Sequence, residues 1–209
     1  KSVDSLAPSI ARAEILKLEE SHADRRDEVW FELGMSPMAA ALEHLAVLAR
    51  ITKDSLAAGT AADMAAAYKS SGWQADDSML KALAAVTGDD DLQAVTAALA
   101  AVYVPWATDA AHYLQKVVAA DGYPGPRSDR LKPLECDEGT CFLFIDGLRL
   151  DLARRLEERL EAESISANTT VGWTALPSVT SPANPSITPV AHVMAGDELR
   201  QDLTPAVAA

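Results

Sequence analysis

Basic side chains are in short supply: 18 Lys and Arg face 31 Asp and Glu, for a formal net charge of −13. Phosphate backbones are gripped by clustered Lys and Arg, so this deficit argues against direct nucleic-acid binding by the chain. It does not exclude a phosphate site made from metals and a few residues, because net charge belongs to the whole surface. Cysteine is rarer still. Cys136 falls in a loop and Cys141 enters an apolar run. Two thiols make no disulfide framework and fit a reducing compartment. With no other zinc-type ligand at finger-like spacing, they read as a loop thiol and a buried thiol. No apolar run approaches the roughly 20 residues that a membrane span needs, and no secretory signal opens the chain. The expectation is therefore a cytoplasmic protein without a membrane partner. Also missing are a P-loop, a dinucleotide glycine fingerprint and a G-x-S-x-G nucleophile elbow.

What is present suffices for a real core: 209 residues, 49% hydrophobic and 23% charged, mark a soluble globular class. The chain begins at Lys1 inside what reads as continuing sequence and ends on "TPAVAA", so a piece of a longer protein is expected.

Helical patterns dominate the first part. Ile10, Ile15, Leu16, Leu18, Val29 and Leu33 recur at approximate helical spacing. Ser36 and Pro37 are an N-cap and a first-turn proline before "MAAALEHLAVLARI". Two shorter helices follow, in "TAADMAAAYKSSGW" and "DDSMLKALAAVTG". The longest pattern, "DDDLQAVTAALAAVYVPWATDAAHYLQKVVAADG", contains Pro105, which predicts a kink or a split. The repeated alanines imply close helix packing. The stretch 121–140 gathers Gly, Pro and charge and reads as a linker. The resulting division is a helical region over 1–128 and a second domain over 129–209.

The second domain opens with "CFLFID", a short apolar run of the buried, parallel-sheet kind, ending on Asp146 and Gly147. Leu148, Leu152, Leu156 and Leu160 then fall four apart on one helix stripe. Asp151–Arg155 and Arg154–Glu158 stand at salt-bridge spacing opposite. "ISANTTVGWTAL" reads as a second strand, so the fold class expected here is α/β, a helical amino-terminal region leading into an incomplete sheet.

A carboxylate at the end of a buried strand costs several kcal/mol unless something compensates it. Ligands of open α/β sheets bind at the carboxyl ends of strands, where Asp146 falls, and a hard cation would balance its charge. The plainer reading makes Asp146 the N-cap of the following helix. Past the second strand, "LPSVTSPANPSITP" is a stiff, hydroxyl-rich loop at the same edge.

Together, "FLFIDGLRLDLARRLEERLE" and "WTALPSVTSPANPSITPVA" closely resemble the PglZ-domain proteins of the alkaline phosphatase superfamily, over roughly residues 138–209. The resemblance implies a phosphatase or phosphodiesterase acting within a bacteriophage-exclusion defence system, alongside other defence proteins. It implies Asp146 as a metal ligand and Thr180 as both metal ligand and nucleophile toward a phosphate-containing substrate. Two divalent cations, zinc or manganese, would assist attack on a phosphoryl group. Arg149, Ser181 and Asn184 are candidate substrate contacts, although Asn184 lies one residue beyond the offset expected in phosphodiesterase relatives. The superfamily completes its metal centre with Asp and His further along than this chain runs. His22, His44 and His112 fall in helical patterns, and His192 matches no ligand motif. A non-catalytic, phosphatase-like binding or scaffold protein is the alternative.

Overall fold

Helices account for about 70% of the described residues in this computed structural model. The structure describes residues 6–125, 138–141, 143, 145–174 and the dipeptides 194–195 and 206–207. The chain divides into two units, Lys1–Gly122 and Tyr123–Ala209.

The first unit is built on small side chains. α1 (Pro8–His22) begins on a proline whose missing N–H would have been unpaired anyway, and it buries Ala11 and Ile15. Ile10 and Leu18, expected on the same stripe, are half-exposed. A 3₁₀ segment, Ala23–Asp27, follows, and then the short α2 (Val29–Glu32). Arg26 donates to both carboxylate oxygens of Glu19, at 2.6 and 3.1 Å, and to the Ala39 carbonyl at 3.4 Å. That grip fastens the end of α1 to α3.

α3 (Pro37–Ile51) starts where Ser36 and Pro37 predict, although the Ser36 hydroxyl makes no capping bond. It is the central helix, packed against α1, α5 and α6. Its buried face is Ala39, Ala41, Leu45, Ala46, Leu48 and Ala49. Alanine there lets backbones approach closely while costing nothing in helix propensity.

α4 (Ala61–Ala67) carries a complete capping box: Asp63 N–H donates to Thr60 Oγ1 at 3.2 Å, and Thr60 N–H donates to Asp63 Oδ2 at 2.9 Å. These bonds to Thr60, backbone first, hold the Asp63 carboxyl below its usual range. The two short helices expected next are one run, joined by a π turn at Tyr68–Gly72 that leads into α5 (Trp73–Ala84). Gly72 fits closely there. A Cβ would lie 3.1 Å from Tyr68 Cδ2 and 3.3 Å from Leu56 Cδ1. The π turn returns Tyr68 toward α5, where its hydroxyl donates to Asp76 Oδ2 at 2.5 Å, and Tyr103 donates to Asp76 Oδ1.

α6 (Asp89–Asp121) runs 33 residues through Pro105 without splitting. Proline removes one backbone bond, but packing on either side offsets the loss. Val102 and Trp106 are buried, and Trp106 Nε1 donates to the Asp54 carbonyl at 2.9 Å. By length and composition α6 could cross a membrane. Its Val95, Leu99, Val102 and Trp106 belong to the core shared with α1, α3 and α5.

The second unit corrects the α/β expectation. Its described regular structure is α7 (Leu150–Ala162) and a two-residue antiparallel pair. In that pair, β1 (Met194–Ala195) meets β2 (Ala206–Val207) with Met194 opposite Val207. No parallel sheet forms among the described residues. Within "CFLFID" the described Cys141, Leu143 and Ile145 are exposed, Leu143 by 82%, and none is in a strand. The described part of the second expected strand, 165–174, is likewise without ladder bonds. A short apolar run has no strand identity of its own, because a strand exists only through its partner's N–H and C=O groups. The fold of the described chain is helical.

Candidate functional site

α7 and the turn before it carry the described candidates. Asp146 and Gly147 form an exposed turn, with Gly147 at φ +69°, a left-handed conformation that glycine adopts without strain. The buried charge that the sequence pattern places at Asp146 is therefore not found there. Nor is Asp146 the helix cap. Arg149 occupies the N-cap position of α7, and its carbonyl accepts the Ala153 N–H at 2.9 Å.

The buried charge lies five residues on. Asp151, in the first turn of α7, is 0% exposed, while Leu148, Leu152 and Leu156 on the apolar stripe remain half-exposed. This inverts the ordinary amphipathic arrangement. Asp151 Oδ1 accepts from Arg149 Nε at 3.0 Å, with the Arg149 side chain 43% exposed. Oδ2 is buried and has no hydrogen-bond partner. An acceptor left in that state costs about 1–3 kcal/mol, and more when charged. The position near the helix N-terminus recovers a fraction of that, since the macrodipole favours an anion there.

Asp151 therefore pairs backward with Arg149, where the sequence spacing suggested Arg155. Arg154 reaches Glu157 Oε2 at 2.6 Å, one residue short of the expected Glu158. The two changes of partner have separate causes: side chains three apart on a helix meet as readily as those four apart, and Arg149, at the N-cap, has an extended backbone. Glu157 also accepts from Thr169 Oγ1 at 3.1 Å. Arg154 first, then Thr169, hold its carboxyl below the ordinary range.

α7 ends in a Schellman motif. Ser164, at φ +61°, donates its N–H to the Glu161 carbonyl at 2.9 Å, and Ile165 donates to the Leu160 carbonyl at 2.8 Å. The chain then turns back, so that residues 167–174 line a groove of about 700 Å³ with Leu148, Leu150, Leu156 and Leu160. Trp173 packs edge-on against Tyr123, ring centres 5.6 Å apart, and the Tyr123 hydroxyl donates to the Thr174 carbonyl at 2.5 Å. Burial pushes the Tyr123 phenol up.

Of the sequence-derived candidates, Asp146 and Arg149 lie within three residues of each other, flanking the start of α7. Thr180, Ser181 and Asn184 fall outside the described residues, as does His192. His22, His44 and His112 sit on α1, α3 and α6. Among the described residues no three His, Cys, Asp or Glu side chains converge as a cation site. Asp146 alone does not supply the donor set a divalent metal requires. Asp151 is the functional candidate that sequence reasoning passed over. Its helical position marked it as surface, and only its depth distinguishes it. No family model matches the chain, and no curated protein or solved structure was found to be similar to it.

Proposed function

We propose that the chain belongs to a cytoplasmic phosphoric-ester hydrolase of the bacteriophage-exclusion type, working with other defence proteins. The reading draws on the two resembling stretches around Asp146 and Thr180. The observation that carries it is the exposed Asp146–Gly147 turn. The cap position belongs to Arg149, so the plainer account of Asp146 as a helix cap fails. Its carboxylate lies exposed, at the residue that the resemblance assigns to a metal.

In this reading the Thr180 hydroxyl attacks phosphorus, the ester oxygen leaves, and water then hydrolyses the phosphothreonine. Asp146 and Thr180 are the residues of this chain assigned to zinc or manganese. One carboxylate among the described residues does not complete such a site, so no step is derived through a cation. Arg149 is assigned to the phosphate oxygens, with Ser181 and Asn184 as further contacts.

The test uses the intact protein and bis-p-nitrophenyl phosphate. Thr180→Ala should abolish turnover with the melting temperature unchanged, and Thr180→Ser should retain a measurable part of it. Asp146→Asn should lower hydrolysis by orders of magnitude. Full activity in Thr180→Ala, or a covalent adduct on Ser181, refutes the assignment.

A second reading, a non-catalytic binding or scaffold protein, is favoured by one observation. Val29, Trp30, Leu33 and Met35 around α2 are all more than half exposed, an apolar cluster of the kind that partners cover. An intact protein that binds inorganic phosphate without turnover would favour it.

A further inference from the structure

The short helix α2 gathers large apolar side chains at the surface by bonds made entirely within residues 29–35. Val29 and Trp30 stand four and three residues before Leu33, so both neighbour it on one side of the helix, and the Leu33 N–H donates to the Val29 carbonyl at 3.1 Å. A Schellman motif then closes α2. Gly34, at φ +71°, donates its N–H to the Phe31 carbonyl at 2.9 Å, and Met35 donates to the Trp30 carbonyl at 2.8 Å. That closure sets the residue after the glycine against the third-last helical residue, here Met35 against Trp30. Val29, Trp30, Leu33 and Met35 are 55, 56, 64 and 65% exposed. Four such residues held together at the surface are a docking face, where scattered single ones would call for no account.

The charge around this face selects what covers it. Between residues 24 and 35 the exposed acids are Asp24, Asp27, Glu28 and Glu32, and the one exposed base is Arg25. Arg26 is committed to Glu19 at 2.6 Å. A second copy of this chain, with its own net charge of −13, would set like charges against each other. Anionic lipid and nucleic acid are repelled in the same way. We propose that α2 docks a basic amphipathic helix of another protein, its apolar side on Trp30 and Leu33 and its Lys or Arg side chains against Asp27, Glu28 and Glu32. Such a helix presents apolar and cationic groups on adjacent sides, as this face requires. The proposal gives the binding reading above a partner of stated chemistry, and it does not depend on the phosphate-ester reading.

The experiment uses the intact protein and a fluorescent peptide of about 18 residues, Leu and Lys arranged as an amphipathic helix, with binding read by anisotropy. Trp30→Ala should weaken the peptide about tenfold, as for loss of a central aromatic anchor. Glu28→Gln/Glu32→Gln should weaken it about fivefold and flatten its salt dependence. Asp89→Asn/Asp90→Asn, at the start of α6, should leave it unchanged. Should Trp30→Ala lower the melting temperature, Leu33→Ala repeats the measurement with the same expectation. Absence of peptide binding overturns the proposal, as does unchanged affinity in Trp30→Ala. Equal binding of a scrambled peptide of the same composition, or an equal loss in the Asp89/Asp90 variant, reduces the contact to charge alone and overturns it too. A dimer in sedimentation that Trp30→Ala abolishes would assign the face to a second copy, and Trp30-dependent binding to phosphatidylcholine vesicles would assign it to lipid, each against the proposal. None of these outcomes bears on hydrolysis or on phosphate binding, so the phosphate-ester reading stands or falls separately.

Discussion

Asp76 offers the sharpest test of how the helical unit is held. Its two carboxylate oxygens each accept a tyrosine hydroxyl, Tyr68 from the π turn and Tyr103 from α6, so one side chain couples three segments. Hydrogen bonds to a charged acceptor contribute about 1.5–3 kcal/mol apiece. Asp76 is half-buried, so water replaces part of what Asp76→Ala removes, and alanine returns about 0.5 kcal/mol of helix propensity. The expected net loss is about 2–3 kcal/mol, a large part of the roughly 5–15 kcal/mol a domain holds. With a slope near 2 kcal/mol/M, the urea midpoint should fall by about 1–1.5 M. The assay is urea titration followed by far-ultraviolet circular dichroism, repeated in a Tyr68→Phe/Tyr103→Phe background. There Asp76→Ala should cost about 1.5 kcal/mol less than in the native background, because both tyrosine donors are gone. An equal cost in both backgrounds would refute the coupling, and so would a cost below about 0.5 kcal/mol in the native one.

Two further outcomes test the caps. Thr60→Ala should destabilise the helical unit by about 1 kcal/mol, read from thermal melts at neutral pH. Because the folded Asp63 carboxyl is held below its unfolded value, its contribution is present above the ordinary carboxylate range near 3.9 and is lost as pH falls through the lowered value; Asp63→Asn should flatten that acid limb. Ser164→Gly should raise stability by up to about 1 kcal/mol in hydrogen exchange at the end of α7, since serine there holds φ +61° against its preference; a loss of protection would show that the Schellman geometry is wrong.

The helices were legible where a local signal has no competitor. Ser36 and Pro37 mark where α3 starts, although the Ser36 hydroxyl makes no capping bond, and the Thr that opens "TAADMAAAYKSSGW" caps α4, because a helix start is decided within four residues. The π turn was hidden: nothing in "AAAYKSSGW" distinguishes one continuous run from two helices except that Gly72 must pass Tyr68 and Leu56 closely. Of the kink or split that Pro105 predicts, the split does not occur. Proline's local cost is fixed, whereas the compensation from Trp106 bonding to Asp54, 52 residues away, is invisible to any window. The strands of the α/β expectation failed for a related reason. Strand formation depends on a partner elsewhere in the chain, and "CFLFI" meets none among the described residues.

The site shows how a sound premise can attach to the wrong residue. An aspartate after an apolar run was expected to be buried and compensated, and a buried, half-compensated aspartate does exist, at Asp151 and not at Asp146. The displacement follows from the lack of a parallel sheet among the described residues. Without a strand to carry the run inward, its end stays at the surface as a glycine turn, and burial is deferred to the first turn of α7. There the helix N-terminus provides a favourable field and Arg149 a counter-charge. The two carboxylates thereby part: Asp146 lies exposed in the glycine turn, and Asp151 lies buried against Arg149. Substitutions at 146 should thus have little effect on melting, while those at 151 should shift it clearly, read from thermal melts.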